Sequence, residues 1–316
     1  MVEASRLLLK LSRRLFENIS DREAFVECLT HPKPQNPCLL WCQPKPPLLP
    51  FALEPPLTWQ PQFVDRLHLG EQPGKHPLHE QGAYYCLDFS SVFAASSLLT
   101  VQGAIAQVID VCAAPGGKSV FAWTALQPSR LLSNEVIGKR TAQLIANLKR
   151  CQVRPAAVTT LDSQVLAHTI PCSASVVIVD APCTGQSLLA KGGKAPGCFH
   201  PININNNANR QKRILANSAQ LVAGGGYLAY MTCTYSPEEN EQVLAWLLER
   251  FPQFQAIAVS HLAAFQSHLT AIPCYRLFPQ QGLGSGAFTA LLQNTATDPL
   301  QPIADRLGDR VRTILA

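Results

Sequence analysis

Residues 175–187 read SVVIVDAPCTGQS. Val176 to Val179 are four apolar, β-branched residues with no polar alternation, the pattern of a strand buried on both faces. The run then delivers Asp180, Pro182 and Cys183 and stops at a Thr184-Gly185 turn. A strand that only packed a core has no use for a carboxylate and a thiol at its tip. A second apolar run, YLAYMTCTY (227–235), carries another thiol, Cys233, near its end. The two tips call for one explanation.

Working outward, similar short runs recur as QVIDVC (107–112), RLLSNEV (130–136) and AAVTTLD (156–162). Helical stretches separate them: KSVFAWTALQ, KRTAQLIANLKRC and NRQKRILANSAQLV. Strands that alternate with helices in this way form an α/β, doubly wound, mostly parallel sheet covered on both faces. Such sheets bind ligands beyond the carboxyl ends of their strands. The polar residues at those ends, Asp110, Glu135, Asp162, Asp180 and Cys233, are therefore the candidates for a site.

Composition sets wider bounds. The chain has 316 residues, 47% hydrophobic and 15% charged, a globular profile with enough apolar residues for a sizeable core. A net charge of +5 is compatible with a polyanionic partner without requiring one. No apolar run is long enough to span a bilayer. At the amino terminus Arg6, Lys10, Arg13 and Arg14 interrupt the apolar positions, which reads as an amphipathic helix rather than a secretory signal. The eleven cysteines, odd in number and irregularly spaced, are expected to be reduced thiols in a cytoplasmic protein. Neither Cys38 with Cys42 nor His76 with His79 has the partners of a metal site nearby, so no metal is expected.

Leu7, Leu8, Leu11 and Leu15 recur at helical spacing, and Ser20 to Glu23 read as the cap of a second helix. The stretch 31–61 is dense in proline, which removes donors and fixes φ, so no central strand is expected there. Trp41, Phe51 and Trp59 favour packing of this stretch over a solvated linker.

DVCAAPGGKS (110–119) is a strand end, a small-residue turn and a helix start. Gly116 and Gly117 let a ligand approach the backbone, and the helix start offers free amide donors. A phosphate-binding P-loop would need glycine where Cys112 stands, and the spaced glycines of a dinucleotide fold are missing too. Glu135, about twenty residues on, is placed to accept from ribose hydroxyls, and Asp162 lies where an adenine edge would. Each acid alone reads equally well as a helix cap; together with the glycine turn they point to an adenosine-type cofactor. Cys183 and Cys233 stand in polar, turn-like sequence, whereas Cys28, Cys151, Cys172 and Cys274 read as inert buried thiols.

DVCAAPGGKS, DAPCTG and YMTCTYSPEENE together resemble the RsmB/RsmF (Nop/Sun) class of RNA cytosine-5 methyltransferases, in order and spacing over residues 73–292. PGKHPLHEQGAYYCLDFSS and YRLFPQQGLGSGAFTALL resemble the entry and closing segments of the RsmF-like branch. The resemblance implies a Rossmann-like catalytic sheet and S-adenosylmethionine as cofactor. It assigns Cys112, Ala113, Ala114, Pro115, Gly116, Gly117 and Lys118 to the methionine part. Glu135 would take the ribose, Asp162 the adenine, and Asp180 would border the sulfonium and the base. It makes Cys233 the nucleophile and Cys183 the group that assists product release, with Lys118 and Asp180 supporting the activated ring. The implied substrate is RNA, ribosomal RNA ahead of transfer RNA, and an assembly factor with secondary catalysis is the competing reading.

The match is partial at two places. NPCLLWCQP (36–44) replaces the family's Arg-Val-Asn-Thr run, and GGKAPGCFHPININNNANRQ (192–211) replaces an acidic-proline stretch, although Lys191 keeps a family basic position. The chain is expected to divide into an N-terminal helical and proline-rich lobe (1–72) in contact with RNA, a methyltransferase domain (73–294) and a tail helix (295–316), without the additional RNA-binding domain of longer relatives. Arg13, Arg14, Lys149, Arg150, Lys191, Lys194, Arg210, Lys212 and Arg213 are the candidate phosphate contacts.

Overall fold

The computed structural model describes residues 5–303 and 306–315. Helix α1 (Arg6–Leu15) starts where the Ser5 hydroxyl accepts from the Leu8 N–H at 3.2 Å, and it buries the stripe Leu8, Leu11 and Leu15. Helix α2 (Ile19–Thr30) starts two residues before the expected cap, because the Asn18 side chain already accepts from the Ser20 N–H. Phe25 and Leu29 of α2 pack with Tyr235 and Phe278, and the Phe25 ring meets Tyr235 edge-on with centroids 4.9 Å apart. The two N-terminal helices therefore rest on the loop that follows Cys233.

The proline-rich stretch departs from expectation. Strand β1 (Cys38–Trp41) pairs antiparallel with β2 (Val64–Arg66) and, beyond α3 (Pro77–Glu80), with β3 (Tyr84–Cys86), and β1 lies in the middle of this three-stranded sheet. Pro37 and Pro44 bracket the strand instead of interrupting it, so each of its four residues keeps its N–H for pairing. Trp41 and Trp59 are buried, as their aromatic surface led us to expect. His76 caps α3 by accepting from the Leu78 N–H.

Helix α4 (Phe89–Ser96) leads into the main sheet, whose strands alternate with helices: β4 (Gln107–Asp110), α5 (Gly117–Leu126), β5 (Arg130–Asn134), α6 (Gly138–Arg150), β6 (Ala156–Thr159), α7 (Ser163–Thr169), β7 (Ala174–Asp180), α8 (Pro201–Ala219), β8 (Val222–Thr232) and α9 (Glu241–Arg250). Three more antiparallel strands follow, β9 (Phe254–Ile257), β10 (Tyr275–Leu277) and β11 (Ala287–Asn294), and then β12 (Val311–Leu315). Among the described residues the order is β10-β11-β8-β7-β4-β5-β6-β12, with β9 also on β11. The five strands from β8 to β6 are mutually parallel.

Side chains alternate between two cores, as a strand's two-residue period requires. Val108, Leu131 and Ile178 face α4, α5 and α6, while Ile109, Leu132 and Val179 face α7, α8 and α9. The doubly wound reading holds, and it places the carboxyl ends of all five parallel strands on one edge. The tail does not hold as a helix. Gly308 turns at φ +46°, and the β-branched residues Val311, Thr313 and Ile314 that follow run antiparallel to the edge strand β6. Residues 304, 305 and 316 of the expected tail helix, and 1–4 of the expected N-terminal helix, lie outside the described residues.

A buried ion pair joins α9 to β10. Arg276 donates from Nε and Nη2 to the two carboxylate oxygens of Glu241, both at 2.5 Å, and from Nη1 to the Tyr235 carbonyl at 2.9 Å. Removing one member leaves the other charged and dry. Glu241→Ala should lower the unfolding free energy by about 3–5 kcal/mol in a urea titration; a loss below about 1 kcal/mol, the size of an exposed pair, would contradict the assignment.

Candidate active site

The site is built where β4, β5, β6, β7 and β8 end side by side. After Asp110 the chain turns through Cys112–Pro115 and enters α5 at Gly116, whose φ of +115° is open to glycine and strained for other residues. At Gly117 a β-carbon would lie 2.6 Å from the end of the Leu87 side chain and 3.3 Å from the Tyr85 ring, so the segment before α4 packs closely over the turn. Ala113 and Ala114 are buried and Pro115 is exposed.

Buried Asn134 fastens three strand ends together. Its amide donates to the carbonyls of Val111 and Leu161, and its oxygen accepts from the Thr159 hydroxyl and the Leu161 N–H, both at 2.9 Å. The acids that follow these strands are thereby held in a row. Asp110 is fully buried; Oδ2 accepts from the Ser119 hydroxyl at 2.7 Å, and Oδ1 has no partner among the described residues. Burial pushes its carboxyl up to about 7. Glu135 is buried as well, accepting from the Ile137 N–H at 2.8 Å and lying 3.1 Å from the Arg140 guanidinium. Asp162 caps α7 through the Gln164 N–H at 2.9 Å, the alternative its sequence position allowed, while its second oxygen faces Arg213 at 3.9 Å.

On the other side of Asp110 the two cysteine-bearing tips meet. Asp180 of β7 lies in register with Met231 of β8. The turns beyond bring Cys183 Sγ to 3.2 Å from Cys233 Sγ. Lys118, nearly buried in the first turn of α5, reaches across to Asp180 Oδ2 at 3.1 Å. Cys112 and Cys183 are partly exposed and Cys233 is exposed, whereas Cys151 and Cys274 are buried. Cys28 and Cys172 are only partly buried; Cys172 sits in a tight turn at φ +49° between α7 and β7, where the chain runs over the surface.

The two thiols are not equivalent. With the charge on Cys233 the Cys183 thiol is the donor of the sulfur–sulfur contact, and the Ser187 hydroxyl and the Lys118 charge both favour that anion; together these hold Cys233 below the ordinary thiol range. The same hydrogen bond, with burial, pushes Cys183 well above that range. Cys233 is thus the sulfur poised to carry negative charge.

Sequence reasoning missed what keeps the tips together. Buried Glu239 accepts from the Thr184 N–H at 2.9 Å and the Thr184 hydroxyl at 2.5 Å, from the Thr234 hydroxyl at 3.2 Å, and from Gln211 of α8 at 3.0 Å. From the opposite direction the Gln186 oxygen accepts from the N–H groups of Tyr235 and Ser236 at 2.8 and 3.1 Å. The motif that carries Glu239, SPEENE, was in view, but nothing local distinguishes a buried clasp from a solvated acid. The opening stretch thus carries Thr184 and Gln186 after its thiol because both bond to the loop of the second thiol.

The candidate phosphate contacts divide. Arg150 donates to the carbonyls of His79 and Tyr84 at 2.8 and 3.0 Å and straps the small sheet to α6, which accounts for its charge structurally. Arg14 pairs with Glu238, Lys191 with Asp88, and Lys212 lies over the Trp246 ring. Arg13, Lys149, Lys194, Arg210 and Arg213 are exposed.

The thiol asymmetry has a pH signature. Alkylation of Cys233, followed by peptide mass analysis, should show a midpoint below the ordinary thiol value of about 8.5. Cys183→Ala removes the donor and should move that midpoint upward. An unchanged or lower midpoint would contradict the hydrogen-bond assignment.

Residues 98–293 match the family model of the 16S rRNA methyltransferase RsmB/F. The chain is 30% identical to ribosomal RNA small subunit methyltransferase F of Cronobacter sakazakii over 262 residues, covering 80% of this chain and 54% of that protein. It is 32% identical to the Klebsiella pneumoniae protein of the same name over 236 residues, covering 73% and 49%. The chain thus spans about half the length of the curated relatives it matches. Among solved structures, NSun6 from Pyrococcus horikoshii with SFG superposes with a TM-score of 0.74 at 17% identity, over 94% of this chain and 100% of that one. A methyltransferase homolog protein of the same organism gives 0.68 at 21%, over 92% and 99%. The structural likeness covers nearly the whole chain, the N-terminal helices and small sheet as well as the Rossmann-like sheet, and by its sequence the chain belongs to the RsmB/F family of methyltransferases.

Proposed function

We propose that the protein is an S-adenosylmethionine-dependent RNA cytosine-5 methyltransferase acting on small-subunit ribosomal RNA in the cytoplasm. The observation that carries this reading is the pair of thiols, 3.2 Å apart at adjacent strand tips and unequal in acidity, beside the Lys118–Asp180 pair. Binding RNA needs neither thiol. The names of the matched relatives supply the ribosomal substrate, and no helix among the described residues is long and apolar enough to cross a membrane.

The row of strand-end acids fits the cofactor. Asp110 keeps a buried oxygen without a partner among the described residues, and carboxylates stand at the ends of three adjacent parallel strands. Residues Cys112–Lys118 would hold the methionine part, Glu135 the ribose hydroxyls and Asp162 the adenine, with Asp180 at the border of the base. The bound cofactor supplies a methyl group on a sulfonium, an electrophile for carbon 5 of cytosine.

Carbon 5 of cytosine is a poor nucleophile. Addition of the Cys233 thiolate to carbon 6 forms a carbon–sulfur bond, breaks aromaticity and makes carbon 5 enamine-like. Asp180 serves to hold the exocyclic amine, and Lys118 to stabilise the charge that develops on the ring. Once the Cys233 sulfur is bonded to the ring it no longer engages Cys183 as an anion. Cys183 is then free to assist removal of the carbon 5 proton, after which the carbon–sulfur electron pair returns to Cys233 and the product leaves.

This division of labour is tested by incubating protein, S-adenosylmethionine and total ribosomal and small RNA, then resolving the mixture on a denaturing gel and sequencing any trapped RNA. Cys183→Ala should accumulate a covalent RNA adduct, and Cys233→Ala should give neither adduct nor 5-methylcytosine. Equal, adduct-free inactivity of both variants would sink it.

A further inference from the structure

Helix α8 carries a pattern that the cofactor and thiol chemistry leaves unused. Five of the seven residues 203–209 are asparagine, a poor helix former whose side chain competes with the backbone. Two have structural work: Asn203 donates to the Gly197 carbonyl and Asn207 to the Asn203 carbonyl. Asn205, Asn206 and Asn209 are exposed and make no side-chain hydrogen bond among the described residues. They share the exposed face of α8 with Arg210 and Arg213, while Ile204, Ala208 and Gln211 are buried on the opposite face.

The placement of the helix directs this face. Gln211 donates to the Pro182 carbonyl at 3.0 Å and to Glu239, so α8 is level with the catalytic tip at that residue. Because α8 links two parallel strands, it runs against them. Its ten residues before Gln211 therefore continue beyond the strand ends, by about 15 Å at the ordinary helical rise. Arg213, on the exposed face, comes within 3.9 Å of Asp162, and the charge of Arg210 bears on Cys112. The face thus overlooks the side of the sheet where the acids and thiols lie. Residues 201–220 hold three cations and no acid.

We infer that the exposed face of α8, Asn205, Asn206 and Asn209 with Arg210 and Arg213, is a docking surface for single-stranded RNA flanking the target cytosine. Carboxamides both donate and accept, which suits base edges exposed in unpaired RNA, and the arginines suit its phosphates. The inference rests on the enzyme reading above and extends it by assigning a surface to the substrate.

The test measures binding of the full chain to a small-subunit ribosomal RNA transcript, with S-adenosylmethionine binding and thermal unfolding measured in parallel. The triple variant Asn205→Ala, Asn206→Ala, Asn209→Ala should bind RNA at least tenfold more weakly and keep wild-type cofactor binding. Alanine favours the helix, so its unfolding temperature should not fall. Arg210→Ala should reduce the slope of log affinity against log salt by about 0.7. RNA affinity within twofold of wild type in the triple variant, with the slope unchanged in Arg210→Ala, would overturn the surface alone. Wild-type protein that bound the cofactor and no RNA would overturn the enzyme reading with it.

Discussion

Glu239 is the interaction on which the site depends. Its carboxylate accepts from Thr184, just past Cys183, and from Thr234, just past Cys233, and it reaches Gln211 of α8. One buried acid therefore joins both thiol-bearing turns and the helix that crosses behind them. Burial pushes its carboxyl upward, and the donors around it oppose that shift. Without the clasp, two loops fifty residues apart in sequence would have no common reference, and a contact of 3.2 Å between their thiols would be lost to ordinary loop motion.

The same logic of edges and clasps runs through the fold. Parallel strands give one shared edge, Asn134 gathers the tips of β4, β5 and β6, and Glu239 with Gln186 gathers those of β7 and β8. Lys118 bridges the two groups by pairing with Asp180 from the first turn of α5. The N-terminal helices pack Phe25 and Leu29 against Tyr235 and Phe278, so even the smaller lobe braces the loop of Cys233 from outside.

What the sequence made legible was what local rules govern. Apolar runs such as VVIV declare buried parallel strands, and the residues after them declare the ligand edge. Gly116 and Gly117 declared a close backbone approach at the start of α5, and at Gly116 the chain adopts a conformation few other residues take. What stayed hidden depends on contacts between distant segments. Glu239 and Asn134 read as an ordinary acid and an ordinary amide until the partners across the sheet are placed. Strand β1 was masked by prolines that flank it and leave its hydrogen bonds intact. The final strand was misread because a five-residue run does not reveal in sequence that it will meet an open sheet edge, whereas Gly308 and the free edge of β6 decide the outcome. Arg150 looked like a phosphate contact and proves to be a strap between two layers.

The central claim is that Cys233, acidified by Cys183, is the sulfur that bonds to the base. RNA transcribed with 5-fluorocytosine tests it directly, because fluorine at carbon 5 leaves no proton to remove and release is blocked. Digestion of the trapped complex of the wild-type protein and mass analysis of the cross-linked peptide should place the nucleotide on Cys233. A nucleotide on Cys183, or methylated RNA released without a cross-link, would contradict the account.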